Sequence, residues 1–164
     1  IGQEIFYLKR FHCDPHPGNF AFREDGTVII YDYGGVKTLS GETVQHFKQL
    51  VQSAREGNIA EMEQHLDALH AISEQGKFPD ELYKQWLEVL MRPLTTMYDF
   101  EENSAHHDGM ELLKPSLKYW DVFKPSPETL MVNRTVSGHY WNMIHLKMHD
   151  NLNDLFDELV PPRQ

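Results

Sequence analysis

Two short polar motifs, separated by one pair of β-prone runs, constrain the fold of this chain more than any other feature. The first motif is FHCDPHPGNF at residues 11–20, and the second is YDYGG at residues 31–35. Between them lie two β-prone runs around Asp25-Gly26, a pair that suits a left-handed turn position. The sequence therefore predicts a β-hairpin whose open end carries both motifs.

This hairpin is expected to bring three oxygen-bearing side chains together. Asn19 enters the first strand and Asp32 leaves the second, so antiparallel pairing places them at the same end. Asp14 can reach that end from a loop stiffened by Pro15 and Pro17. Carboxylate and amide oxygens suit Mg²⁺ when substrate phosphates complete its coordination. The sequence thus predicts one half of a metal–phosphate site.

The spacing of these residues matches a template for phosphoryl transfer. In that template, a catalytic loop H-R-D-x-x-x-x-N is followed by D-F-G, whose Asp holds metal. Here residues 12–14 read H-C-D with Asn19 at the same offset, and residues 32–34 read D-Y-G after a predicted strand. An H-x-D-x-x-x-x-N pattern is common by chance, whereas a D-aromatic-G at the end of the next strand is not. The ordered pair is therefore the specific signal.

On these residues the chain resembles the UbiB family of atypical kinases, also called ADCK proteins. The catalytic loop of that family reads close to F-H-x-D-P-H-P-G-N, and its metal motif is D-[FY]-G. The resemblance covers residues 5–40 closely and the remainder more loosely, including NRTVSGHYW at residues 133–141. It implies a protein-kinase-like fold, the cofactors ATP and Mg²⁺, and a role in ubiquinone or other isoprenoid-lipid metabolism at a membrane.

The resemblance also implies a role for each matching residue. Asp14 would be the catalytic-loop aspartate, and His12 the histidine that braces this loop. Asn19 and Asp32 would be the metal ligands, and Gly34 the glycine of the nucleotide-binding D-Y-G motif. Cys13 departs from the small residue, such as alanine, that is common at its position.

The predicted fold class is α+β, mainly α: a protein-kinase-like C-lobe with one small β-hairpin followed by a helical bundle. A single domain is expected over residues 1–164, with the catalytic loop, hairpin and metal motif in 1–40 and helices in 41–164. Apolar spacing and end signals predict helices at 42–56, 58–76, 79–92, about 110–122, 126–148 and about 152–159, and a surface loop at 99–109.

The half of a kinase that closes over ATP is not recognised in this sequence. It has no glycine- or alanine-rich phosphate loop, no strand lysine with its helix glutamate and no K-x-G-Q segment. We therefore expect the C-terminal lobe of a longer protein, with the N-lobe of the same protein as its partner. Alone, this lobe is expected to bind nucleotide weakly or not at all.

The segment after the second motif is short. Only residues 35–41 separate Gly34 from the helix predicted near Glu42, which is too few for the activation segment that docks a peptide. This favours a small-molecule kinase or an ATPase. An aminoglycoside- or choline-type phosphotransferase, which shares H-x-D-x-H-P-x-N, and a non-catalytic pseudokinase interaction module remain as alternatives.

Charge and composition narrow the partners. The net charge of −10, from 15 basic and 25 acidic residues, disfavours nucleic acid. Cys13 has no cysteine to pair with and no signal peptide is seen, so an intracellular location is expected, cytoplasmic or peripherally associated with a membrane. No apolar run is long enough to cross a bilayer. A membrane surface or an isoprenoid lipid stays a possible partner.

Other polar residues were weighed as rival sites. His12, Cys13 and His16 are zinc-ligand types, and Cys13 beside His16 is a nucleophile–base pair, but neither has the accompanying motif. A purely structural turn would explain the prolines but not the D-Y-G. His145 and His149 are four residues apart and would share a helix face, but they lack a third ligand and are predicted to be solvated or core residues. The run His106-His107-Asp108 is predicted to face solvent. On the resemblance, Arg134 and Gly138 would brace the helical lobe.

Overall fold

The computed structural model describes residues 1–73, 76–95, 97–102 and 105–163, which form a mainly helical body with three two-stranded β ladders. The strands are β1 (Arg10–His12), β2 (Phe20–Phe22), β3 (Val28–Ile30), β4 (Val36–Thr38), β5 (Tyr98–Asp99) and β6 (His149–Asp150). The helices are α1 (Gly41–Glu56), α2 (Ile59–Ala68), α3 (Asp80–Met91), α4 (Ala105–Ser116), α5 (Pro127–His145) and α6 (Asn153–Leu159). The predicted α+β, mainly α class is confirmed; the single domain stays a prediction.

The predicted hairpin is present. β2 pairs antiparallel with β3, beginning with Phe20 opposite Ile30. At the turn, Gly26 has a φ of 83°, and the carboxylate of Asp25 accepts a hydrogen bond from the Thr27 amide at 2.9 Å. The Asp-Gly pair therefore forms the turn as predicted, with Gly26 in the left-handed position.

A second ladder, not predicted from the sequence, pairs the strand before Cys13 with the segment after Asp32. β1 pairs antiparallel with β4, with Phe11 opposite Lys37 and His12 opposite Val36. Strands of three residues are too short to show a period-2 pattern. Their pairing lays residues 12–14 beside the segment that follows Asp32.

Three helices begin after a serine or asparagine whose side chain caps the first turn. The side-chain oxygens of Ser40, Asn58 and Ser126 accept hydrogen bonds from backbone N–H groups three residues further on, at 2.9, 3.2 and 3.2 Å. Gly57 ends α1 with a φ of 68°. α3 ends at Met91, just before the predicted stop at Pro93.

The second helix is shorter than predicted. It ends at Ala68 and not near Gly76, because His70 takes a left-handed φ of 51°. The Ala71 amide then donates to the Leu66 carbonyl at 2.8 Å, which satisfies the helix end in a Schellman arrangement. A histidine gives no sequence signal for this conformation.

The predicted surface loop over residues 99–109 is wrong in part. β5 enters it, and α4 begins at Ala105. Phe100 is only 1% exposed, and its ring contacts the rings of Tyr98 and Tyr140. The polar composition of the segment thus conceals a buried aromatic side chain.

The helix predicted around 110–122 is α4, displaced toward the N-terminus. α4 ends at Ser116, and a 3-10 turn covers Leu117–Tyr119. Residues 103 and 104 of the predicted loop lie outside the described residues. None of the helices described is both long enough and apolar enough to span a bilayer.

The largest apolar cluster includes two buried residues of the first motif, Phe11 and Cys13. It joins β1 and the residue after it to α1, to α5 and to the C-terminal segment. Its buried members are Ile5, Phe6, Phe11, Cys13, Leu39, Val44, Phe47, Leu69, Ala71, Val132, Leu159 and Val160. The polar site is therefore anchored on the main core of the molecule.

Truncation of Phe11 is expected to lower the free energy of unfolding more than truncation of an exposed phenylalanine. Phe11 is 1% exposed in this cluster, so Phe11→Ala should lower the free energy of unfolding by about 3–5 kcal/mol. Phe22→Ala is the control, because Phe22 is 60% exposed on the hairpin. Urea denaturation followed by circular dichroism measures both, and equal losses would contradict this assignment of the core.

Candidate active site

His12 links the two motifs. It lies at the end of β1, 1% exposed, and its Nε2 is 2.7 Å from the backbone carbonyl oxygen of Asp32. A carbonyl only accepts, so Nε2 carries the proton and donates. The edges of the ring meet Phe20 and Tyr33. These contacts hold the Asp32 backbone against the end of β1, and the role of His12 in the loop stays a prediction.

Asp14 and Asn19 form a side-chain pair in the loop between β1 and β2. The Asn19 amide donates from Nδ2 to Asp14 Oδ2 at 2.8 Å and to the Asp14 carbonyl at 3.3 Å. The backbone N–H of His16 donates to Asp14 Oδ1 at 3.3 Å. The Asn19 hydrogen bond and then the His16 N–H lower the pKa of Asp14 below its ordinary value. Asp14 is accordingly an anion at neutral pH.

Asn19 keeps one oxygen for another ligand. Both of its side-chain hydrogen bonds in the described part of the chain use Nδ2, and none there uses Oδ1. Its backbone carbonyl accepts from the Tyr31 amide at 2.8 Å, which fixes Asn19 next to the end of β3. The amide oxygen is thus available on a rigid backbone, close to Asp32.

Asp32 stands at the other side of the site, with a left-handed backbone. Its φ is 55° and its ψ 75°, a conformation uncommon for a residue other than glycine. Asp32 Oδ1 accepts a hydrogen bond from the Gly34 amide at 3.2 Å, while the side chain is exposed. The Cys13 amide donates to the Gly35 carbonyl at 2.7 Å and ties this turn to the catalytic loop.

Gly34 is placed where a larger residue would disturb Asp32. A Cβ on Gly34 would lie 3.1 Å from Asp32 Oδ1, closer than such contacts usually are. Its N–H is already used by the Asp32 carboxylate. The structure therefore gives Gly34 a part in orienting Asp32, and its predicted role toward a nucleotide stays a prediction.

Hydrogen bonds join the segments that carry the candidate site residues: His12 to the Asp32 carbonyl, Asn19 to Asp14, and the Tyr31 amide to the Asn19 carbonyl. Two carboxylates and one amide oxygen are the ligand types that Mg²⁺ prefers. Within the described ranges, no three His, Cys, Asp or Glu side chains form a group that could hold a metal by themselves. The set fits a cation that takes its remaining oxygens from nucleotide phosphates.

One face of α5 touches the catalytic loop, and sequence reasoning missed most of this contact. Asn142 Nδ2 donates to the Pro15 carbonyl at 2.8 Å, and Thr135 Oγ1, which donates to the Met131 carbonyl of its own helix at 2.9 Å, lies 3.5 Å from the Cys13 carbonyl. Gly138 lies against the Pro15 ring. Gly138, a glycine inside a predicted helix, was the one indication of this contact in the sequence. Arg134, which was expected to act together with Gly138, is exposed.

The cysteine and zinc interpretations of the first motif do not agree with the structure. Cys13 is 4% exposed within the main core, and burial raises the pKa of its thiol, so it is not an activated nucleophile. His12 is also buried, whereas His16 is exposed and accepts a hydrogen bond from the Gly18 amide through Nδ1 at 3.1 Å. The three side chains do not converge.

The other histidine patterns are structural or solvated. α5 ends at His145, so His149 in β6 does not share a helix face with it, and that part of the prediction is wrong. Both are exposed, as are His106 and His107. Asp108, predicted to face solvent, is instead half-buried and forms an ion pair with Arg92.

The fold and the site are those of a kinase-like lobe. A solved structure titled the complex of Rv3197 with erythromycin, from Mycobacterium tuberculosis, superposes with a TM-score of 0.70 over 97% of this chain and 40% of that one, at 18% sequence identity. At this identity the similarity shows the fold alone. It agrees with the predicted kinase-like architecture.

Sequence comparison then gives the family. Residues 1–66 match the ABC1 atypical kinase-like domain. Protein ACTIVITY OF BC1 COMPLEX KINASE 7, chloroplastic, from Arabidopsis thaliana is 35% identical over 73 residues, which are 44% of this chain and 10% of that protein. The uncharacterized protein sll1770 of Synechocystis sp. is 35% identical over 65 residues, 39% of this chain and 11% of that protein. These matches confirm the predicted resemblance to the UbiB/ADCK family.

Removal of the Asn19 amide is expected to raise the pKa of Asp14. Asn19→Ala deletes the hydrogen bond that lowers this pKa most, so the pKa should move toward that of an ordinary aspartate. Carbon-detected NMR titration of the carboxyl groups measures the shift. Asp25 is the internal control, because its pKa is lowered by Thr27 in the hairpin turn.

The same substitution should change how stability depends on pH. A carboxyl whose pKa is lower in the folded than in the unfolded chain stabilises the fold above the unfolded pKa, and this contribution is lost as the pH falls through the folded pKa. Asn19→Ala should therefore cost stability near neutral pH and less at acid pH. A loss that is equal at every pH would contradict the predicted linkage.

Proposed function

We propose that this chain carries the metal-binding side of the ATP site of a UbiB-like atypical kinase or ATPase. The observation that carries the proposal is the convergence of Asp14, Asn19 and Asp32, held by the His12 hydrogen bond to the Asp32 carbonyl. The spacing of these residues matches the phosphoryl-transfer template. Because the chain spans about a tenth of the curated relatives that it matches, the activity of the whole protein belongs to this proposal.

Each residue has a defined part in the proposed reaction. Asp32 and Asn19 would hold Mg²⁺ through their side-chain oxygens, and the bound ion would neutralise charge on the phosphates of ATP, from which the phosphoryl group is transferred. Asp14 is held anionic by Asn19 and His16, so its carboxylate can orient and accept a proton from a hydroxyl group or water. His12 acts on the backbone of Asp32 and not on the reacting atoms.

The short path after Asp32 favours a small acceptor or water. Residues 33–35 form a 3-10 turn, β4 follows at once, and α1 begins at Gly41 with its Ser40 cap. β4 is held by pairing with β1, so this stretch does not form a peptide-docking segment. We propose ATP hydrolysis or phosphoryl transfer to a small molecule, in support of ubiquinone or other isoprenoid-lipid metabolism.

The exposed apolar side chains next to the site support a partner on that face. They come from both ladders and from the residues around Asp32: Phe22, Val28, Tyr31, Tyr33 and Val36. The proposed partner is the N-lobe of the same protein, which would cover this surface and hold ATP against the oxygen ligands. The chain alone is accordingly expected to bind nucleotide weakly.

Replacement of Asp32 by asparagine tests the proposal in the full-length protein. Asp32→Asn removes a metal-binding charge with little change of shape, and ATP turnover that depends on Mg²⁺ should fall by about 100-fold or more. Asp25→Asn is the matched control, since Asp25 lies in the exposed hairpin turn. Turnover is measured by phosphate release over a range of Mg²⁺ concentrations. Equal turnover in the Asp32 variant would refute the assignment, and a wild-type protein that turns over no ATP would favour a non-catalytic interaction module.

A further inference from the structure

The loop that carries Asp14 is clamped from outside by α5. Three residues on one face of this helix, at spacings of three and four, meet the loop backbone or the Pro15 ring: Thr135, Gly138 and Asn142. They contact the two residues on either side of Asp14, namely Cys13 and Pro15. The helix lies outside the segment that matches the ABC1 atypical kinase-like domain.

Gly138 allows the helix to approach the loop. A Cβ at this position would lie 2.1 Å from Pro15 Cγ and 2.6 Å from Pro15 Cβ. Both distances are far below van der Waals contact, and the proline ring cannot rotate away because its φ is fixed. Any larger residue at 138 would therefore push α5 and the loop apart.

Asn142 holds the other polar group of the same proline. Its Nδ2 donates to the Pro15 carbonyl at 2.8 Å. The Asp14–Pro15 peptide unit is planar, so a fixed Pro15 ring determines where the Asp14 Cα lies. Ring contact and carbonyl hydrogen bond together set the position of Asp14 from the helix side, while Asn19 sets its carboxylate from the hairpin side.

We propose that Gly138 and Asn142 are positioning residues, which act through Pro15 to hold Asp14 in its place in the reaction. This inference rests on the proposed function, and it extends the site to a helix outside the matched segment. Both residues are far in sequence from the oxygen cluster, that is, from Asp14, Asn19 and Asp32. Their effect should fall on the chemical step, where a displacement of about 1 Å is worth up to about 100-fold in rate.

The test compares matched substitutions on the same helix in the full-length protein. Asn142→Ala removes the donor to Pro15, and Asn133→Ala makes the same change at an exposed position. Gly138→Ala places a methyl group against the Pro15 ring, and Ser137→Ala is its exposed control. Because alanine favours helix, neither Gly138→Ala nor Asn142→Ala should weaken α5 through propensity.

Steady-state kinetics separate positioning from structural support. We expect kcat for ATP turnover, corrected for the folded fraction, to fall about 10- to 100-fold in the Asn142 and Gly138 variants, with KM for ATP changed less than threefold. The two controls should keep the wild-type kcat. An unchanged kcat per folded molecule, or failure of both variants to fold, would overturn the proposal and leave the contacts a purely structural role.

A readout that needs no turnover keeps this proposal separate from the proposed function. The side-chain amide resonances of Asn19 report its hydrogen bond to Asp14. They should shift in Asn142→Ala and stay in place in Asn133→Ala. If the wild-type protein shows no ATP turnover but these resonances shift, the proposed function fails while the positioning of the loop stands. If they do not move, the positioning is refuted.

Discussion

The site depends on one hydrogen bond from a buried imidazole to a backbone carbonyl. The two ladders near the site share no strand, since β1 pairs with β4 and β2 pairs with β3. The β1–β4 ladder lays residues 12–14 beside the segment after Asp32, and the His12 ring, which is 1% exposed, then holds the Asp32 carbonyl through its Nε2 at 2.7 Å. A short contact inside the core thus ties the backbone of the exposed Asp32 to the strand that leads to the half-buried Asp14.

The parts of the fold that follow from neighbouring residues were predictable from the sequence. The Asp25-Gly26 turn needs only a left-handed glycine and a nearby amide, and the caps at Ser40 and Ser126 need only a hydroxyl before a helix. The candidate site could also be predicted from the sequence, because the two ends of a β-hairpin lie side by side. This is why Asn19 and Asp32 were expected at one place; in the structure the amide of Tyr31, the neighbour of Asp32, donates to the Asn19 carbonyl.

The remaining features depend on contacts that are distant in sequence or on conformations without a residue preference. His70 and Lys147 end helices with φ values of 51°, although neither is the glycine that usually marks such an end. Phe100 lies in a polar stretch, and its burial depends on a cluster that includes the distant Val89 and Tyr140. The fit of Gly138 to Pro15 joins residues more than 120 positions apart, and local pattern carries no trace of such a pair.

The direct return of the chain from Asp32 into β4 has a consequence for how the candidate site forms. In the stretch from 33 to 41, every residue belongs to a 3-10 turn, a paired strand, the cap of α1 or the short link between them. No part of that stretch is left to order or disorder independently. Formation of the candidate site is therefore coupled to formation of both ladders, because Asn19 and Asp32 border the β2–β3 hairpin and the chain passes from Asp32 directly into β4.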